Sequence, residues 1–343
     1  MECVICNRVQ SIIDSKLKKG VTSPDRIRYP NQRVWQKKKF ASRYQGYSVS
    51  MSNRPHVSQN PDVRSGTESR SQEARQSLPG KRRRGRWLSI PPARRMIFDV
   101  LYFSKKIPTQ VISKEANLWR LSELKKKPAT TIGWSLLFLK AYAILSSRHR
   151  VLRQTYMRWP WPHFYEHPTP VGRMTVSRFH DGHDRVFFAR FTESDSCSLL
   201  ELQEQLELRQ HSPIQTLGNF RRQVIVSRLP FPLRRLIWWL ALNVSPLART
   251  ILFGTFSLTT VSGRGATCIH PPSLATTTIT YGPINNAGEV RLAIVYDHRV
   301  MDGALVADFL VELENILNGP IADELEMLIE SEKDPLNLRP NHE

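Results

Sequence analysis

From Trp87 onward, apolar residues recur at the two spacings that secondary structure imposes, 3.6 for helices and 2 for strands. Within residues 130–147, Ile132, Leu136, Leu139 and Ala143 keep helical spacing and predict a long, largely buried helix. Residues 198–209 and 302–317 are amphipathic. In the second of these, Leu305, Val306, Phe309, Leu310, Leu313, Ile316 and Leu317 repeat at i, i+3 and i+4, and Gly319-Pro320 ends the run. Strand-like content marks 107–112, 171–176, 186–191, 255–261, 276–281 and 290–296. His180-Asp181-Gly182-His183-Asp184 supplies turn chemistry between two of these strands, as in a hairpin. Four prolines predict a loop over 150–170. The apolar stretch 236–242 follows Arg234-Arg235; it is too short to span a bilayer and reads as a buried or surface-docked helix. Elements in this mixed order predict an α/β (α+β) two-layer sandwich, a mixed sheet packed by helices.

Composition divides the chain. It has 343 residues, of which 40% are apolar, low for a chain folded throughout. Residues 1–85 carry no helical or strand period and predict a basic, disordered N-terminal tail; 86–325 predict the folded domain and 326–343 a polar C-terminal tail. Residues 1–87 hold 20 Lys and Arg against 6 Asp and Glu, a net +14 of the total +20. The basic excess therefore sits mainly outside the predicted folded face that a nucleic-acid binder uses. The run Lys81-Arg82-Arg83-Arg84-Gly85-Arg86 reads as a solvated linker, and contact with nucleic acid or membrane through the tail is not expected. Four cysteines, no basic-then-apolar opening and no run of 18 apolar residues predict reduced thiols in a cytoplasmic protein. Cys3 and Cys6 form a lone C-x-x-C without two further ligands nearby, so no metal site is expected there or at the 180–184 turn.

The informative stretch is Tyr296-Asp297-His298-Arg299-Val300-Met301-Asp302-Gly303-Ala304. A hydrophobic strand ends at a histidine, and four residues later an Asp-Gly pair opens a helix. A rigid strand end holds an imidazole yet lets it face a cavity. Asp302 is placed to cap the helix, and Gly303 allows close approach of another segment. The segment resembles the D-H-R-x-x-D-G-A motif of 2-oxoacid dehydrogenase dihydrolipoamide acyltransferase catalytic domains, within the chloramphenicol-acetyltransferase-like superfamily. The resemblance extends to Arg94-Arg95-Met96, Lys105 to Pro108, residues 171–200 and Gly254 to Thr259. It covers about residues 87–325.

The resemblance implies an acyltransferase that moves an acyl group between thioesters of coenzyme A and dihydrolipoamide, with coenzyme A as substrate. His298 is then the general base, and a Ser or Thr hydroxyl stabilises the tetrahedral oxyanion. Alignment gives that role to Thr259, with Thr260 and Ser257 as alternatives; Asp302 organises the turn and the helix start. Transfer of a proton from a thiol near pKa 8.5 to an imidazole near 6.5 costs about 2.7 kcal/mol, within reach of a positioned base. The implied partners are acyl-coenzyme A or a lipoyl domain on another protein, since this chain shows no lipoyl domain. The implied assembly is a homotrimer with His298 facing a neighbour's Thr259; the Trp238-Trp239 region and the terminal helix face are its expected contacts. Residues 210–252 do not match the family pattern, and the stretch from Thr259 to His298 is shorter than usual. A catalytically inactive assembly or binding module is the alternative reading.

Overall fold

The computed structural model describes residues 87–127 and 132–333. The predicted tail 1–85 lies outside the described residues. A helix α1 (Pro92–Ser104) leads into β1 (Thr109–Asn117), α2 (Trp119–Lys126) and α3 (Trp134–Arg148). A small hairpin, β2 (Gln154–Met157) and β3 (His163–Glu166), precedes the long hairpin β4 (Val171–His180) and β5 (His183–Thr192). Four helices follow: α4 (Leu199–His211), α5 (Gly218–Arg228), α6 (Phe231–Asn243) and α7 (Pro246–Phe253). The chain ends with β6 (Phe256–Leu258), β7 (Thr277–Tyr281), β8 (Glu289–Asp297), α8 (Gly303–Ile316) and α9 (Ala322–Lys333).

Six strands form one mixed sheet in the order β1-β8-β7-β6-β4-β5. Pairing is parallel for β4/β6 and β6/β7 and antiparallel elsewhere. Alternation along each strand sends Met174, Phe187, Phe256, Leu258, Ile279, Leu292 and Ile294 to one face. Helix α3 lies over that face. It is apolar nearly all round, with Leu136, Leu137, Phe138, Leu139, Ala141, Tyr142 and Leu145 buried, as a helix wedged between a sheet and other helices must be. Its Phe138 stacks on Tyr281 of β7 at 4.1 Å between ring centroids. Helix α8 adds Val306, Phe309, Leu310 and Leu313 to the same core.

Over β4, β5 and β6 the opposite face carries a second apolar core. Met96, Val100 and Phe103 of α1 meet Trp238, Ala241 and Leu242 of α6 and Phe253 of α7. The buried Asp99 of α1 pairs with Arg234 and Arg235 of α6, which ties the two helices together. The segment that departs from the family pattern thus becomes three helices seated on the sheet. Because Trp238 fills this core, of the expected contact pair only Trp239 reaches the surface. Gly254 turns the chain from α7 into β6 with φ +73, and a Cβ there would come 2.6 Å from the Val171 carbonyl.

Three local expectations need correction. The loop expected over 150–170 contains β2 and β3; Pro160 and Pro162 fall between the two strands, where no ladder N–H is needed. The strand expected over 255–261 stops at Leu258, because the Thr260 hydroxyl accepts from Ser262 N–H and donates to Tyr281 O, turning the chain. The polar tail expected from 326 begins inside α9, whose Leu325 and Ile329 are buried. No single helix among the described residues is long and apolar enough to cross a membrane; α6 and α7 pass only as a pair bent by 112°.

Candidate functional site

His298 stands one residue past the end of β8. Its backbone N–H donates to Pro108 O at 3.0 Å, and a turn closes behind it through Val300 N–H to Asp297 O at 2.9 Å. The Asp297 carboxylate, fully buried, accepts from the Arg299 backbone N–H at 3.1 Å, Nε at 2.8 Å and Nη2 at 2.6 Å. The Arg299 guanidinium lies over the Tyr156 ring, 4.3 Å from its centroid. The first and third residues of D-H-R therefore lock the backbone on either side of the histidine. In the sequence, the opposite charges of Asp297 and Arg299 two positions apart are the local sign of this role.

The imidazole itself is 43% exposed. The Asp302 carboxylate sits 3.5 Å from Nδ1, an ion-pair distance longer than a hydrogen bond. Asp302 occupies the N-cap of α8 as expected, yet its side chain makes no cap hydrogen bond. Its carboxylate is turned to the histidine instead. Gly303 fits because a Cβ there would press to 3.0 Å of Ile112 Cδ1 and 3.2 Å of Tyr296 Oη. A second imidazole reaches this end of the sheet: His270 Nε2 lies 3.1 Å from the hydroxyl of Thr109, the register partner of Asp297.

Thr259 lies elsewhere. Its N–H donates to Ile279 O at 3.1 Å, which sets it level with Thr280 of β7. His298 is level with Ala275, because Asp297 N–H bonds Thr276 O. Five residues of strand, about 16 Å, and two strand spacings, about 10 Å, separate the two within one chain. The three predicted residues thus split into a joined pair, His298 and Asp302, and a distant Thr259. Of the hydroxyls weighed for the oxyanion, Ser257 bonds Thr278 at 2.6 Å and Thr260 bonds Tyr281 O at 2.9 Å. The Thr259 hydroxyl has no hydrogen-bond partner among the described residues. By the alternation of β6, Ser257 and Thr259 share the face opposite Phe256 and Leu258. Among the described residues no group of three or more His, Cys, Asp or Glu is arranged to hold a metal.

No family model matches the chain, and no curated protein matches its sequence. Solved structures do match. The cubic core of the pyruvate dehydrogenase multienzyme complex aligns with a TM-score of 0.50 and 17% identity, over 69% of this chain and 94% of that one. The dihydrolipoamide acetyltransferase of Azotobacter vinelandii gives the same TM-score, 0.50, and 17% identity, over 69% and 94%. That structure was used to probe a serine, a histidine and an asparagine four positions beyond the histidine in the catalytic mechanism. A chloramphenicol acetyltransferase aligns at a TM-score of 0.37 and 14% identity, over 66% and 98%. The first two establish the fold: a mixed sheet packed by helices, shared with dihydrolipoamide acetyltransferase cores.

Proposed function

We propose that this chain transfers acyl groups between thioesters, with His298 as general base and coenzyme A or dihydrolipoamide as the thiol. The observation that carries the reading is the solvent-facing imidazole of His298 at the end of β8, clamped by Asp297-Arg299 and flanked by Asp302. His298 and Asp302 repeat the four-residue spacing of the histidine and asparagine probed in the Azotobacter enzyme.

With Nδ1 turned to Asp302, Nε2 is the nitrogen left to take the thiol proton. The thiolate attacks the thioester carbonyl carbon, and the carbonyl electrons move onto oxygen. The oxyanion accepts a hydrogen bond from a Thr259 hydroxyl. Collapse breaks the original carbon–sulfur bond, and the departing thiolate recovers the proton from His298. Since one chain holds His298 and Thr259 far apart, the hydroxyl comes from a neighbouring chain, in a homotrimer whose sites lie between subunits. Thr259 suits that role because its hydroxyl is uncommitted within its own chain. An acyl donor is acyl-coenzyme A or an acylated lipoyl domain on another protein.

The test is to incubate the purified full chain with acetyl-coenzyme A and dihydrolipoamide and to follow release of the coenzyme A thiol. Because each thiol freed consumes another, coenzyme A itself is resolved from dihydrolipoamide by chromatography, and its formation only with both substrates present supports the reading. No release above the uncatalysed rate, with either acetyl or larger acyl donors, refutes it.

A further inference from the structure

A cavity of about 90 Å³ lies between the sheet face of Ser257 and the helices α1, α5, α6 and α7. Its walls are mainly apolar: Val100, Phe188, Trp238, Leu252 and Leu274. Two cations line it, Arg173 of β4 and Arg222 of α5. Arg173 is 4% exposed, donates through Nη2 to Ile251 O, and leaves its Nε without any partner. Directly opposite it in the β4/β5 register stands Arg190, whose buried Nε is likewise unpartnered. Arg222 adds a third positive charge beside Arg190. No ion pair offsets any of the three among the described residues. The sequence holds no Asp or Glu from Leu208 to Gly288, and Asp99 of α1 is committed to Arg234 and Arg235, so α5, α6, α7 and the loops that join them supply no carboxylate to these three.

A buried cation without an acceptor is costly, and like charges opposite each other across strands add to the cost. Burial, and then Arg190, bring Arg173 down to about 9. We propose that this cavity binds a small carboxylate with an apolar tail, whose two oxygens meet the open edge of the Arg173 guanidinium. A carboxylate matches that edge in a bidentate pair. The apolar walls disfavour a free phosphate, which keeps more of its hydration. A cavity of about 150 Å³ accommodates benzene, so this one suits a short tail of about two or three carbons. The proposal goes beyond acyl transfer and does not depend on it: His298, Asp302 and Thr259 are not among the lining residues.

Calorimetric titration of the full chain with butyrate in chloride-free buffer tests this, alongside thermal unfolding with butyrate, butanol and chloride. Butyrate is expected to bind and to raise the melting temperature, and butanol to do neither. Arg173→Met is expected to weaken butyrate binding about tenfold or more. Without ligand that variant should melt at or above the wild-type temperature, because an uncompensated buried charge has been replaced by an apolar chain of similar length. Val226→Phe, which keeps the arginine and fills the cavity, should also abolish binding. The proposal falls if wild type gives no heat with butyrate, or if chloride alone accounts for the whole stabilisation. It falls equally if Val226→Phe binds normally, or if unligated Arg173→Met melts far below wild type.

Discussion

His298 and Thr259 occupy opposite ends of the same sheet, one level with Ala275 and the other level with Thr280 on β7. The separation is fixed by backbone pairing, so side-chain rotation does not close it. A base and an oxyanion donor for one carbonyl must stand within a few ångströms of each other. The pair therefore works together only when Thr259 is supplied by another chain.

Replacing His298 by alanine should cut thiol-dependent transfer by about 10²- to 10⁴-fold, the usual contribution of a positioned base. The side chain is 43% exposed, so circular dichroism and melting temperature should stay close to wild type. Unchanged turnover in that variant would remove His298 from the mechanism.

In the proposed mechanism Asp302 acts on the rate rather than on the helix. Its carboxylate faces the imidazole and caps nothing, so Asp302→Ala should lower stability by less than about 1 kcal/mol. The same change should lower kcat about ten- to a hundredfold by freeing the ring. Asp302→Asn, which retains a group able to hold Nδ1, should recover part of the rate. A large fall in melting temperature with unchanged kcat would mark Asp302 as a helix residue alone.

Asp297 is the structural member of the motif. Removing its buried carboxylate strands Arg299, so Asp297→Ala should destabilise the fold by about 3–5 kcal/mol. Chemical denaturation measures this directly, and a loss under about 1 kcal/mol would show that the pair does not hold the turn.

His167 gives the fold an acid-sensitive point. Burial, and then the nearby Arg249, hold its imidazole down to about 4, and its ring nitrogens lie 2.8 and 3.1 Å from the Thr250 hydroxyl. Between about pH 6.5 and pH 4 the unfolded chain binds a proton that the folded chain refuses. Stability from this site is thus complete above about pH 6.5, declines as pH falls, and is gone near pH 4. The contribution reaches up to about 3 kcal/mol. His167→Gln should flatten the stability profile across that window, as followed by urea unfolding at stepped pH. A profile as steep as wild type would assign the acid sensitivity to other groups.

Much of this architecture is legible in the chain because period and burial agree. The helix expected over 130–147 lies at Trp134–Arg148, and the 180–184 turn joins β4 to β5. The second core was hidden because its helices rely on polar anchors. Gln223 of α5 caps the edge strand at Phe188, and Arg249 of α7 serves three carbonyls, at Tyr156, Leu242 and Leu274. Such partners are distant in sequence and leave no periodic trace. Helix α9 was missed because Gly319 breaks the helical path, with ψ −106, yet the chain resumes beyond Pro320. At the site, the strand, turn and helix around His298 follow from local spacing. The position of Thr259 does not, since it depends on which strands β6 joins.

The most direct test of a shared site is subunit complementation. His298→Ala and Thr259→Ala chains, each inactive alone, are unfolded, mixed in equal amounts, refolded together and assayed for acetyl transfer. In a trimer with three sites between chains, random mixing gives an intact His298 beside an intact Thr259 at about a quarter of the sites, and about a quarter of wild-type activity is expected. A mixture that assembles normally and stays as inactive as its parents would contradict the account, because every site would then draw both residues from one chain.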